Sequence, residues 1–165
     1  MGNAAERAII YWARSTPVHH FVMGTQWTWP ILESLHYIGL ALLFGAVGLF
    51  DLRVLGLAKE APLSALRRIL PWGAAGFAIN LVTGVMFFLG PTETYVFNDA
   101  FRAKVLLLGL AGLNLIAFYT WVFKGVRDLG PGADAPLRAK VCAAVSLFAW
   151  LGVMTAGRLL TFFRP

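Results

Sequence analysis

Charged residues are scarce in this sequence. Asp, Glu, Lys and Arg make up only 13% of its 165 residues, against about 25% in a typical soluble domain. Hydrophobic residues account for 59%. This balance excludes an ordinary soluble domain and predicts an integral membrane protein in contact with the lipid bilayer. The length suits one domain, spanning residues 1–165.

Cysteine and histidine are also scarce, with one Cys and three His. Cys142 alone cannot form an internal disulfide or a multi-cysteine metal site, and any imidazole ligand must come from His19, His20 or His36. Acidic residues number 8 against 14 basic ones. The basic residues lie in short loops between apolar stretches, so membrane topology explains the excess and no nucleic-acid partner is expected.

Long apolar stretches dominate the rest of the chain. They predict an all-α fold, a four-transmembrane-helix bundle with spans at about 30–50, 69–89, 104–123 and 141–163. Residues 4–15 have helical spacing of apolar side chains and predict an N-terminal amphipathic interfacial helix. Residues 18–26 are expected to form an irregular or interfacial link, and no signal peptide is expected because charges interrupt the N-terminal segment.

Basic residues are distributed unevenly between the two ends of the predicted bundle. The first and third connections hold eight of the 14: Arg53, Lys59, Arg67, Arg68, Lys124, Arg127, Arg138 and Lys140. This bias predicts that both termini lie on the periplasmic side of a bacterial cytoplasmic (inner) membrane. Asp51 and Arg53 are expected to mark the membrane surface at the end of the first span.

Four ionisable residues fall in the outer half of the predicted bundle. His36 lies about 9 Å inside the first span, with Glu33 one turn before it, and Arg158 lies about 7 Å inside the fourth. Lys104 opens the third span on the same side. Ionisable groups at membrane depth are costly and usually functional. The alternative is structural: snorkelling by Lys104 and Arg158, or an ion pair made by Glu33.

An imidazole inside a helical bundle suits haem iron or copper, and nearby cations suit haem propionates. Bis-histidine ligation would require His19 or His20 as the second ligand. A five-coordinate haem, a Met ligand or a haem shared between subunits would not require a second histidine from this chain. A copper site would combine His36 with His19, His20 or Met23. A quinone or proton-relay site would use Glu33 and His36 as proton carriers.

Several motifs resemble those of a group of small uncharacterised bacterial four-helix membrane proteins. They are W-x-W-P-x-x-E-x-x-H-x-x-G from Trp27 followed by F-D-L-R, T-G at Thr83, F-x-x-K at Phe101 with G-x-N at Gly112, and a Trp150 span ending in A-G-R at Arg158. The layout is more distantly similar to CopD-like copper-resistance domains and HemJ-type protoporphyrinogen oxidases. The HemJ resemblance implies His36 as a haem ligand and Lys104 as an active-site or haem-contacting lysine.

The sequence thus favours a membrane redox protein that binds b-type haem and transfers electrons with quinol or a partner protein. His36, Lys104, Arg158 and Glu33 are the expected cofactor-binding residues, and Glu33, His36 and Lys104 the catalytic candidates. Copper binding or transport through His36, His19, His20 and Met23 is the alternative. A non-catalytic accessory subunit, with the cluster purely structural, is a third. Glycines in the first two spans favour close packing or homo-oligomerisation.

Overall fold

The structure, a computed structural model, describes residues 3–163, which are all-helical with no strand. The helices run in the order α1 (Ala4–Arg14), α2 (Pro17–Gly24), α3 (Thr28–Leu55), α4 (Leu63–Arg67), α5 (Leu70–Leu89), α6 (Thr92–Val96), α7 (Asp99–Ala117), a π-helical segment (Phe118–Val122), α8 (Phe123–Val126) and α9 (Leu137–Leu159).

Four of these helical stretches are long and apolar enough to cross a bilayer. They are Thr28–Leu55, Leu63–Leu89, Asp99–Val126 and Leu137–Leu159. The predicted four-span all-α fold is confirmed, and a multi-pass membrane protein of this kind contacts the lipid bilayer. Helix boundaries differ from the predicted spans by several residues because backbone hydrogen bonding continues past the apolar stretch. At α3, for example, the helix continues to Leu55, and Gly56 ends it in a left-handed conformation with φ 99°.

The helices pack in the order α5–α3–α9–α7, because α3 contacts both α5 and α9, and α7 packs against α9. Glycines set the closest approach. A Cβ added at Gly76 of α5 would lie 2.5 Å from the Gly39 carbonyl oxygen of α3. Here the two backbones touch, as small residues permit in membranes.

One end of the bundle carries short helices and is called the cap end. It is the end at which α3 and α7 begin and α5 and α9 finish, and α1, α2 and α6 lie there. Asn3 and Glu6 form a capping box that starts α1. Salt bridges join Arg14 to Glu93 at 2.8 Å and Arg102 to Glu6 at 3.2 Å. The expected N-terminal helix is present, and α2 occupies most of the segment expected to be an irregular or interfacial link.

The opposite end, the loop end, contains connections 56–62 and 127–136 and holds the main buried cluster. That cluster consists of Phe50, Val54, Leu63, Val122, Val126, Ala135, Ala139 and Ala143. The main buried hydrophobic cluster therefore lies at the loop end. His36 lies nearer to the cap end.

Asp51 and Arg53, which were expected to mark the membrane surface, are both buried within the protein, with 6% and 0% exposure. Arg53 Nε donates to the carbonyl of Ala61 at 2.7 Å, and Nη2 donates to those of Gly130 at 2.9 Å and Ala133 at 3.2 Å. The guanidinium thus closes both loops over the end of α3. Charge spacing alone does not reveal this role, because the acceptors are backbone carbonyls distant in sequence.

Candidate functional site

His36 lies on α3 at the interface with α5, half-buried and close to the cap end. Its Nδ1 is 2.7 Å from Thr83 Oγ1. The Thr83 hydroxyl is in turn 2.8 Å from the Ile79 carbonyl oxygen, one helical turn earlier. The imidazole is therefore connected to the α5 backbone through one hydroxyl group.

The Thr83 hydroxyl has a single proton and lies between His36 Nδ1 and the Ile79 carbonyl oxygen. When Thr83 donates to the Ile79 carbonyl, its Oγ1 accepts a hydrogen bond from His36 Nδ1–H, and Nε2 keeps its lone pair. When Thr83 donates to His36 Nδ1, the ring proton is on Nε2. Only the first arrangement leaves Nε2 free to bind a metal ion.

Aromatic and glycine residues surround the His36 ring. Phe87 is edge-on to it with ring centroids 5.5 Å apart, and Trp29 packs on the other side of Phe87 at 4.9 Å. A Cβ added at Gly84 would lie 3.9 Å from His36 Cε1. Phe87 and Trp29 restrict the orientation of the imidazole ring. Because Gly84 has no side chain, the ring lies close to the α5 backbone.

Lys104, on α7, is the cation whose charge influences His36. Its charge acts on the His36 ring, so the two groups lie within electrostatic reach. A Cβ added at Gly157 of α9 would lie 3.5 Å from Lys104 Nζ. The absence of a side chain at Gly157 therefore lets the ammonium group lie against the α9 backbone.

The helices α5 and α7 meet here mainly through side chains. Phe88 stacks on Phe101 with centroids 5.5 Å apart, and Tyr95 packs edge-on against Phe101 at 5.3 Å. Burial raises the pKa of Tyr95, in the short cap helix α6, to about 12. These three rings form an aromatic cluster between α5, α6 and α7 at the cap end.

Two predicted site residues are not part of this arrangement. Glu33 is exposed, and its Oε1 accepts a hydrogen bond from the Tyr37 hydroxyl at 3.4 Å. Arg158 is also exposed. Neither forms a salt bridge within residues 3–163. Glu33 and Arg158 share the cap end with His36 but form no hydrogen bond with it within the described residues.

The remaining predicted ligands are on α2. His19 Nδ1 is 2.9 Å from the Leu89 carbonyl and 3.0 Å from that of Gly90, so the ring caps the end of α5. The His20 ring is 5.6 Å from that of His19 and is exposed, as is Met23. Thr83 and Leu89 are six residues apart on α5, about 9 Å along its axis, so His19 and His36 are held at different levels.

Within residues 3–163, no group of three or more His, Cys, Asp and Glu side chains could hold a metal ion. Two shallow apolar grooves occur on the surface at the cap end, of about 580 Å³ between α7 and α9 and about 560 Å³ between α2 and α5. His36 lines neither of them. Metal binding by protein side chains alone is therefore limited to few ligands.

Comparison with known families gives one match. The model of a family described as "Family of unknown function (DUF6644)" matches residues 22–163. The chain belongs to the DUF6644 family. Neither the curated proteins nor the solved structures contain a match.

In this DUF6644 protein, three residues of the His36 environment were not predicted as site residues. Thr83 and Gly84 formed the T-G motif in the second span, and Gly157 lay within A-G-R in the fourth. Their spacing carried no direct signal of contact with His36 or Lys104. Hydroxyl and glycine positions level with an ionisable residue on a neighbouring span are the pattern that would have identified them.

Proposed function

We propose that this protein binds b-type haem through His36 Nε2 and works as a redox protein in the membrane. One observation carries the proposal. His36 Nδ1 lies 2.7 Å from Thr83 Oγ1, which is itself 2.8 Å from the Ile79 carbonyl oxygen. In this proposal Thr83 donates its proton to that carbonyl and accepts from His36 Nδ1–H, so that Nε2 keeps its lone pair. A second-sphere hydrogen bond to the far nitrogen is the usual support for a metal-binding histidine.

The surrounding residues fit such a group in character. Phe87 and Phe88 offer apolar surface to a macrocycle, and Lys104 offers a positive charge to a propionate carboxylate. Bound haem supplies one-electron transfer. The chain's own contributions are the orientation of His36 by Thr83, the charge of Lys104 and the aromatic rings beside the imidazole.

His36 is the one residue of this chain that would hold the haem iron in this proposal. His19 is engaged with the Leu89 and Gly90 carbonyls at a different level of α5 and is not included as a second ligand. Glu33 and Arg158 form no hydrogen bond with His36 in the described part of the chain, so direct roles for them in ligation are not included. Glu33, which is exposed, would exchange protons at the surface.

The wider setting is part of the same proposal. The resemblance of the sequence layout to HemJ-type oxidases and CopD-like domains motivates haem or copper chemistry, and quinol or a redox protein would be the electron partner. The concentration of basic residues at the loop end supports a periplasmic cap end in a bacterial cytoplasmic membrane.

Copper binding is the second candidate, supported by the adjacent rings of His19 and His20 and by exposed Met23. His19 Nε2, His20 and the Met23 sulfur are soft to intermediate donors that suit copper. Haem is favoured because it needs one histidine, whereas no three-ligand His/Cys/Asp/Glu group exists in the described part of the chain. An accessory subunit with a structural His36–Thr83 bond is the third reading.

The test is an absorption spectrum of detergent-purified protein, expressed with ample haem and recorded before and after dithionite reduction. We expect a Soret band and sharpened reduced bands in the wild type. His36→Ala should lose the pigment, and the matched control His20→Ala, which changes an exposed histidine, should keep it. Imidazole added to His36→Gly should restore the bands.

Other results would decide between the candidates. Full pigment in His36→Ala would refute the assignment. A colourless protein whose copper content falls when His19, His20 and Met23 are replaced together would establish the second candidate. A colourless, metal-free protein would leave the accessory-subunit reading.

A further inference from the structure

A second ionisable group is buried at the opposite end of the bundle from His36. Asp51 lies on α3, four residues before its end and therefore about 6 Å along the helix from the loop end. It is 6% exposed. Its Oδ2 atom is buried and has no hydrogen-bond partner within residues 3–163.

The groups around Asp51 are polar but supply no compensating charge. On α9, Ser146 faces the carboxyl group and the Cys142 thiol is the neighbouring titratable group. On α7, Asn114 Nδ2 donates to the Cys142 carbonyl at 3.0 Å. Ser146 and Cys142 thus place polar groups near the Asp51 carboxyl, and Asn114 bonds the backbone at Cys142.

The cations of the loop end are not paired with Asp51. Arg53, on the same helix, directs Nε and Nη2 to loop carbonyls, while its buried Nη1 has no hydrogen-bond partner within residues 3–163. Arg67 Nη1 donates to the Arg127 carbonyl at 3.3 Å, and its guanidinium lies 5.1 Å from the Phe123 ring centroid. Arg68 is exposed. Asp51 has no salt bridge among the described residues.

We propose that the Asp51 carboxyl is a proton-binding site embedded in the membrane. An isolated carboxylate is far more costly to bury than a neutral carboxyl group, and Oδ2 is the atom left open to form the O–H bond. The step is a simple one: a proton joins carboxylate oxygen, the charge is cancelled, and the reverse step releases the same proton. No oxidant, reductant or other reactant takes part.

The proton comes from the loop end, the nearer surface. His36 is 15 residues from Asp51 on α3, about 22 Å along the helix axis. The Asp51 site therefore does not depend on what His36 binds, and the two sites can be tested separately.

The test is infrared difference spectroscopy of the full-length protein in lipid membranes, titrated with pH in H₂O and in D₂O. A protonated carboxyl gives a C=O stretching band that shifts in D₂O and disappears when the group ionises. Above about pH 5.5, where exposed carboxyl groups are ionised, we expect this band in the wild type and its loss in Asp51→Asn. The matched control is Glu60→Gln, which removes an exposed carboxyl at the same end of the bundle and should leave the band unchanged.

Two results would overturn the proposal: no such band in the wild type across the titration, or a band that persists in Asp51→Asn. Circular dichroism and gel filtration verify that the variants fold. If Asp51→Asn does not fold, Asp51→Glu provides the answer, because a band arising from residue 51 must change position in that variant. An unchanged band in Asp51→Glu would equally refute the site.

Discussion

His36 Nδ1 lies 2.7 Å from Thr83 Oγ1, and this hydrogen bond joins the first membrane span to the second. It connects a histidine with a threonine 47 residues later in the chain. The bond restricts the orientation of the imidazole ring, because it holds Nδ1 against the α5 side chain Thr83.

Thr83→Val should destabilise the protein by about 1–2 kcal/mol, because His36 Nδ1–H loses its acceptor in a half-buried position. The matched control is Thr155→Val. Thr155 makes the same type of bond to its own helix, 2.9 Å to the Leu151 carbonyl, but is exposed. Thermal unfolding of both variants in detergent measures the difference, and equal midpoints would show that the His36 bond contributes nothing.

Gly76→Ala should separate α3 from α5. The added Cβ would lie 2.5 Å from the Gly39 carbonyl oxygen and 2.7 Å from the Leu43 nitrogen, both backbone atoms that cannot rotate away. We expect a loss of about 3 kcal/mol, at the upper end for overpacking.

The control for this glycine is Gly112→Ala on α7, where nothing lies within 4 Å of the added Cβ. That change should be neutral or stabilise the helix by up to about 1 kcal/mol, because alanine is the better helix former. Unfolding midpoints of the two variants test the pair. A tolerated Gly76→Ala would contradict the close crossing.

Arg53→Met should loosen both connections at the loop end. Three carbonyl oxygens, of Ala61, Gly130 and Ala133, lose their donor, and we expect a cost of about 3 kcal/mol. Limited proteolysis should show faster cleavage within 56–62 and 127–136. Arg68→Met, an exposed change at the same end, should stay within about 0.5 kcal/mol of the wild type.

Asp134 makes a small, pH-dependent contribution at the loop end. The hydrogen bonds from Lys140 and Lys59 lower the pKa of its carboxyl below the ordinary 3.8. A group with a lowered folded-state pKa stabilises the fold above its unfolded pKa, and that contribution disappears as pH falls through the folded value.

Stability should therefore be unaffected by Asp134 ionisation near neutral pH and fall only below about pH 4. Asp134→Asn should remove that part of the acid dependence, and the effect should shrink in high salt because the residue is exposed. Unfolding midpoints against pH test this. A wild-type and variant difference that stayed constant down to pH 2 would contradict the linkage.

Particular residues show how far the sequence could be interpreted. The four spans follow from hydrophobic runs, a property of local composition. His36 could be singled out because a lone imidazole at membrane depth is rare, and Lys104 because it opens the third span. Spacing could not decide whether Glu33 pairs with His36. Residues three apart on a helix can be in contact, but Glu33 is exposed and accepts a hydrogen bond from Tyr37 instead.

By itself, the sequence determined the all-helical membrane fold, the number of spans and the end at which His36 and Lys104 lie, because burial of apolar stretches in lipid depends on residues near each other in the chain. The tertiary structure decided the rest. It placed Thr83 opposite His36, Gly157 beside Lys104, and Asp51 and Arg53 in the interior. These relations depend on the rotation and crossing of packed helices, which close contacts between residues distant in sequence determine.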